Sequence, residues 1–456
     1  MSEPSQADLR RWDHDHLWHP FTPLADWVAS DPLIIDRAEG VYLFDTEGRR
    51  YLDGVSSLWC NVHGHRHPRL DAAILDQLGR VAHSTLLGVS HRPAIELARR
   101  LVELAPAGLT RVFYSDDGAT AVEVALKMAF QYWRQKANPE PRRSTFIALT
   151  NAYHGDTLGD VSVGGVDRFH AAFGPLLFPT IRVSSPHCYR CPLGLSRPSC
   201  ATACLDEVEQ ALKQHGEAVA GIVVEPLVQG AAGMIVHPDG YLRGLSELAT
   251  RYDTLLILDE VAVGFGRTGT LFACEQEGVS PDFLCLAKGL TGGYLPVAAT
   301  LTTETICAAF HGTAQDGKTF YHGHTYGGNP LGAAVALANL AIFDEERTLV
   351  HLAPKIDRLT ERLAEFRQLR FVGDVRQRGF IAGIELVADP ASRTPLPVGA
   401  QVGARICREA RAAGLLIRPL GDVLVVMPPL AISLTELDWM IDVMIECTQK
   451  ITRELP

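Results

Sequence analysis

Between about residues 70 and 345, short uninterrupted apolar runs alternate with stretches in which apolar residues recur every three or four positions. Residues 112–114, 145–149, 221–224, 255–258 and 283–287 form runs of strand length with no polar alternation, as in strands buried on both faces. Their alternation with helical patterns predicts an α/β domain built on a mostly parallel, doubly wound sheet. Each run ends at a polar or charged residue, the position where an open α/β sheet places its ligands. From about residue 346 the pattern changes to helical segments around shorter runs, 380–386 and 423–427. Three regions follow: an N-terminal segment, 1–69, that contributes to a small domain; a large domain, 70–345; and the C-terminal small α+β domain, 346–456.

The sharpest helical pattern follows the turn Ser115-Asp116-Asp117-Gly118-Ala119-Thr120. Val122, Ala125, Leu126, Ala129, Phe130 and Trp133 recur with helical spacing and predict one buried face. The small residues at its start let free backbone N–H groups and the positive end of the helix dipole approach a phosphate. An ordinary capped helix start has the same signature.

Composition narrows the function classes. The 456 residues carry 53 acidic and 42 basic side chains, a formal charge of −11, which argues against nucleic acid and against an anionic membrane surface as partners. With 47% hydrophobic and 21% charged residues the chain reads as globular. No secretory leader pattern and no membrane-length apolar stretch is visible, so a cytoplasmic location is expected. Ten cysteines are too few for a disulfide scaffold in a chain of this size.

Two further strand ends carry candidate chemistry. The run 255–258 closes on Asp259-Glu260, and a carboxylate there can hold a ring nitrogen protonated. The run 283–287 closes on Lys288, an amine that burial can turn into a nucleophile toward an aldehyde. A phosphate cradle, an acid for a pyridinium and an amine for an aldehyde are the three anchors that pyridoxal 5′-phosphate requires. Gly264-Phe265-Gly266-Arg267-Thr268-Gly269 satisfies G-x-G-x-x-G, but it follows the acidic strand end and does not open a helix after the first strand, so no nicotinamide fingerprint is assigned.

The segment 258–269 together with Lys288 resembles the signature of class III pyridoxal-phosphate aminotransferases. Within that class the chain resembles the 8-amino-7-oxononanoate aminotransferases of biotin synthesis, through 16–22, 56–65, 153–157, 225–230, 322–326 and 418–422. The resemblance implies fold type I and a homodimer with active sites at the subunit interface. It further implies that Lys288 is the catalytic residue, bonded to the cofactor and moving the proton between substrate and cofactor, with Asp259 on the pyridine nitrogen. Gly118 and Ala119 would offer N–H groups to the phosphate, and Thr325 with His324 would reach the phosphate of the partner's site. Tyr153 and Val261 would cover the two ring faces. For the substrate, Arg418 would hold the carboxylate of 8-amino-7-oxononanoate with its guanidinium fork, and Trp59 would wall an apolar channel beside Gly323.

Three departures bear on the amino donor. The branch that uses S-adenosylmethionine carries a tryptophan where Leu58 stands, a tyrosine where Phe21 stands and another tyrosine near Val425. A related branch, similar in 18–22 and 61–65, is associated with lysine as donor. S-adenosylmethionine is taken as the family default and lysine is held beside it. Other class III enzymes acting on ω-amino acids such as ornithine or 4-aminobutyrate, and an aminomutase, would use the same lysine and aspartate.

Cys188, Cys191, Cys200 and Cys204 form a C-x2-C…C-x3-C arrangement within 17 positions, enough soft ligands for zinc or an iron–sulfur cluster. The eight-residue inner spacing is short for a zinc ribbon, and Pro192, Gly194 and Pro198 mark a surface insertion. Free thiols or a local disulfide are the expectation, and no metal is assigned.

Overall fold

A computed structural model of the chain describes residues 4–455. Its centre is a seven-stranded sheet of β1 (Leu109–Ser115), β2 (Thr145–Leu149), β3 (Ile181–Val183), β4 (Val219–Val224), β5 (Leu255–Asp259), β6 (Phe283–Leu286) and β7 (Ala298–Thr303). The strands lie in the order β1-β7-β6-β5-β4-β2-β3, and only β7 runs against its neighbours. All residues of β4, β5 and β6 are buried, which is why their sequences carry no polar alternation. The pattern did not reveal β3 and β7. The first is three residues long; the second, Ala-Ala-Thr-Leu-Thr-Thr, buries two of its threonines because their hydroxyls find carbonyls: Thr300 Oγ1 donates to Ala121 O at 2.7 Å and Thr302 Oγ1 to Asp282 O at 2.9 Å.

Helix α1 (Gly118–Gln135) packs on this sheet through Val122, Ala125, Leu126, Ala129 and Trp133, joined by Ala121, Val124 and Tyr132. The Trp133 indole N–H donates to Ala220 O at 2.8 Å, so its one polar atom is satisfied in the core. Phe130 departs from the expectation: it sits on the edge of the stripe, 40% exposed, with the Arg134 guanidinium 3.4 Å above its ring.

Strands Ile35–Glu39, Tyr42–Asp45 and Arg50–Asp53 form an N-terminal sheet that ends on the C-terminal strand Leu415–Leu416, which pairs in parallel with Arg50–Asp53. A third sheet contains Val372–Arg378, Ile381–Asp389 and Val423–Val426. Arg267 ties these parts to the central sheet. Fully enclosed, it donates to Pro428 O at 2.6 Å and to Asn61 O at 2.7 Å. The glycine-rich segment after β5 is therefore a structural clasp. Glu260 secures the same segment by accepting the backbone N–H groups of Ala273 and Cys274 at 2.6 and 2.8 Å. No helix among the described residues is long and apolar enough to cross a membrane.

Candidate active site

Five chain segments leaving the carboxyl edge of the central sheet surround a cavity of about 750 Å3. β1 leads into Asp116, Asp117 and the start of α1; β2 into Tyr153 and His154; β4 into Glu225; β5 ends on Asp259; β6 leads through Ala287 to Lys288. The parallel register sets Asp259, the last residue of β5, opposite Cys285, and Lys288 follows three residues further on, just past the end of β6.

Helix α1 is capped, and its cap leaves the ligand positions free. Asp117 Oδ1 accepts the Thr120 N–H at 2.9 Å while Thr120 Oγ1 accepts from Asp117 N at 3.2 Å. Among the described residues the N–H groups of Gly118 and Ala119 have no acceptor, so two donors at the positive end of an 18-residue helix face the cavity. An added Cβ on Gly118 would lie 2.5 Å from Val261 Cγ1, so glycine lets Val261 and the helix start close on one slot.

Asp259 forms the floor. Its Oδ2 lies 2.8 Å from His154 Nδ1, and its Oδ1 accepts the Val261 N–H at 3.0 Å. Both side chains are enclosed. Lys288 opens a 3-10 turn with φ +43°, a left-handed conformation that costs energy for a residue with a Cβ. An added Cβ on Gly289 would come 2.8 Å from Phe265 Cβ, so the turn closes directly on the clasp after β5. The Lys288 ammonium pKa is lowered by burial, against the opposing pull of Asp259 and Glu225. Its Nζ stands 5.4 Å from the centre of the Trp59 ring.

Trp59 is buried and ends an unusual turn: Ser56, Ser57, Leu58 and Trp59 all have positive φ, from +49° to +81°. Asp53 holds this turn through Ser57 N at 2.9 Å and Ser57 Oγ at 2.8 Å, and Ser56 Oγ donates to Met427 O at 2.6 Å. Tyr153 also lines the cavity; its hydroxyl donates to Asp156 at 2.8 Å and its ring lies parallel to His170. Phe21 is 54% exposed and meets Phe169 edge-on at 5.3 Å, and Phe169 meets Tyr153 at 6.0 Å. Leu58 is 48% exposed.

The remaining expected residues lie outside the cavity lining. Gly323, His324 and Thr325 are exposed, with His324 Nδ1 2.8 Å from Asp116 Oδ2. Arg418 is exposed with no hydrogen bond or ion pair among the described residues. It follows a strand whose Leu416 pairs with Asp53, which brings it to the sheet end from which the Ser56–Trp59 turn departs.

Residue patterns alone did not mark His154, Glu225 or Phe169. His154 orients Asp259 across 105 positions of sequence. Glu225 accepts the backbone N–H groups of Tyr153 at 3.0 Å and Gly230 at 2.8 Å, and burial raises its pKa to about 7. Both follow or precede strand ends, so position at the carboxyl edge was the available signal.

Helix N–H groups without an acceptor among the described residues, a buried carboxylate and a partly desolvated lysine in one cavity fit a phosphorylated pyridine aldehyde. The class III aminotransferase family model matches residues 24–448, and the chain belongs to that family of pyridoxal-phosphate enzymes. Among its relatives, the adenosylmethionine-8-amino-7-oxononanoate aminotransferase of Nitratidesulfovibrio vulgaris is 59% identical over 435 residues, 95% of this chain and 80% of the relative. The crystal structure of the Methanocaldococcus jannaschii enzyme of the same name superposes with a TM-score of 0.93 at 43% identity, covering 98% of this chain and 99% of that one. The omega transaminase of Pseudomonas jessenii in complex with PMP superposes with a TM-score of 0.92 at 32% identity, covering 98% of each chain.

Proposed function

We propose that this chain transfers an amino group to 8-amino-7-oxononanoate, giving 7,8-diaminononanoate in biotin synthesis. The observation that carries the chemistry is the meeting of Lys288, Asp259 and the free N–H groups of Gly118 and Ala119 in one cavity. The narrower substrate rests on the 59% identity to a relative of that name, against 32% to the omega transaminase of nearly equal TM-score.

Bound pyridoxal 5′-phosphate supplies an aldehyde for the amino group and a ring that accepts the electron pair left when a substrate carbon loses its proton. Gly118 and Ala119 bind the phosphate through their N–H groups. Asp259, oriented by His154, keeps a positive ring nitrogen paired. Lys288 Nζ takes the proton from the substrate carbon and returns it on the other side of the transfer; its lowered pKa raises the neutral fraction able to do so. Trp59 and Tyr153 exclude water, and Tyr153 and Val261 cover the ring. Arg418, free of protein partners, receives the substrate carboxylate.

The chain acts as a cytoplasmic homodimer in which Gly323, His324 and Thr325 serve the partner's site, consistent with exposed Trp18, Leu87, Tyr321 and Tyr326. The segment 1–69 belongs with 346–456 in the small domain, supported by the pairing of Arg50–Asp53 with Leu415–Leu416. The relatives' name points to S-adenosylmethionine as donor. Phe21 and Leu58 offer no hydroxyl or indole N–H to an adenine, which favours lysine as the alternative. Incubating the pyridoxal form with each compound and following its visible spectrum identifies the donor. Conversion by neither, with conversion by 4-aminobutyrate or ornithine, would overturn the proposed reaction.

A further inference from the structure

The segment between β3 and helix α2 (Cys204–His215) runs for 20 residues through turns alone. Its middle has no apolar core: from 191 to 201 every side chain is exposed except Cys191 and Cys200, which are half-buried. Leu193 and Leu195 face solvent. Ordered loops of this length are uncommon and need an anchor, and here the inward-facing groups are thiols.

The four cysteines come from two turns and a helix start. Cys188 and Cys191 flank a turn that Gly194 continues at φ +67°, its N–H donating to Cys191 O at 3.0 Å. The Cys200 N–H donates to Ser196 O at 3.0 Å, the Ala203 N–H to Cys200 O at 2.9 Å, and Cys204 is the first residue of α2. All ten cysteines of the chain are unpaired. Cys188, Cys191 and Cys200 all act electrostatically on Cys204, so the four thiols share one neighbourhood. No three of their sulfurs lie within 4.8 Å of one another. Closure on an ion takes side-chain rotation: Cys188 Sγ now points to Pro186 O at 3.9 Å and Cys204 Sγ to Thr202 O at 3.8 Å.

We propose that Cys188, Cys191, Cys200 and Cys204 bind one structural zinc ion as four thiolates. The pairs C-x2-C and C-x3-C have the close spacing of tetrahedral zinc sites, and a closed four-sulfur site needs no water or substrate position. Only thiolates coordinate the ion, so zinc binding releases the thiol protons. The ion pins the loop between β3 and α2, which contacts the C-terminal region where Arg190 pairs with Glu385 at 2.7 Å and the Arg393 guanidinium donates to Tyr189 O. The other candidate group, Glu304, Cys307 and His311, brings its ligand atoms within 4.8 Å, but it is largely exposed and Glu304 is held by Arg111 at 2.8 Å.

The test is metal analysis of the full-length chain purified under reducing conditions, beside Cys191→Ser, Cys200→Ser and Cys307→Ser. The expected result is about one zinc per wild-type and Cys307→Ser chain and its loss from the other two. Adding zinc to chelator-stripped protein should release about four protons per ion, and cobalt in its place should show the thiolate charge-transfer absorption of a tetrahedral site. Stripped protein should be cut by trypsin after Arg190 at least tenfold faster than loaded protein, a readout independent of variant folding. Zinc absent from the wild-type chain, zinc lost only from Cys307→Ser, iron with a reducible visible spectrum, or a disulfide among the four cysteines would each overturn the proposal.

Discussion

Substituting Gly118 by alanine separates the role of the helix start from helix stability. The backbone there is ordinary helix, and alanine in a helix is favoured over glycine by about 0.5–1 kcal/mol. Propensity alone therefore predicts a slightly more stable protein. The new methyl, however, would lie 2.5 Å from Val261 Cγ1 and 2.9 Å from Cγ2. Carbon atoms rest at roughly 3.5–4.0 Å, so Val261 or the helix start must move by about 1 Å, at an overpacking cost of about 1–3 kcal/mol. Both line the proposed cofactor slot, so the net loss of about 1–2 kcal/mol should fall on affinity, weakening pyridoxal 5′-phosphate about 5- to 30-fold. Val261→Ala removes both clashing methyls and leaves Cβ at 3.3 Å, so the double variant should bind more tightly than the product of the single effects. Spectroscopic titration of the apoprotein measures all four corners of this cycle. Binding by Gly118→Ala within twofold of wild type, or strict additivity in the double variant, would refute the slot as described.

Glu225 carries a pH signature. Its pKa of about 7 in the folded chain stands above its ordinary 4.5, so the folded state keeps a proton that the unfolded state sheds, and stability falls from pH 4.5 to 7 by about 3 kcal/mol and then levels off. Glu260, also raised to about 7 by burial, adds its own fall to wild type and variant alike, so Glu225→Gln should lie about 1 kcal/mol below wild type in urea unfolding of the apoprotein at pH 5, because the amide oxygen accepts only one of the two backbone N–H groups, and about 1–2 kcal/mol above it at pH 8; a difference from wild type that does not change with pH would contradict the assignment. Leu58→Gly should hold or raise the melting temperature, since relief of φ +81° is worth about 1–2 kcal/mol against a glycine entropy cost of about 0.5–1 kcal/mol, while Leu58→Ile should lower it. Arg267→Met leaves two buried carbonyls unpaired and should cost about 2–5 kcal/mol in thermal unfolding; a loss below 1 kcal/mol would show that Arg267 is not the clasp.

Strands β4, β5 and β6 were legible because burial on both faces writes itself as unbroken apolar runs, and the ends of β5 and β6 delivered Asp259 and Lys288 where the runs stopped. Strand β7 was not, because its threonines are satisfied by carbonyls that only the folded chain brings near. Phe130 shows the limit of periodicity: it shares the helical spacing of the core but lies at the border of the stripe. His154 meets Asp259 across 105 positions and Glu225 meets the Tyr153 N–H across 72, contacts that no local pattern encodes. Gly118 looked like an ordinary helix start; the capping box of Asp117 and Thr120 shows that the cap and the free N–H groups coexist.

Amino transfer to 8-amino-7-oxononanoate can be seen in a single turnover. The protein loaded with pyridoxamine 5′-phosphate is mixed with one equivalent of 8-amino-7-oxononanoate, quenched and assayed by mass spectrometry. The expected result is about one equivalent of 7,8-diaminononanoate per site with return of the pyridoxal spectrum, and no product from Lys288→Ala loaded in the same way. Absence of diaminononanoate from the wild-type protein, with amino transfer to another oxo acid, would contradict it.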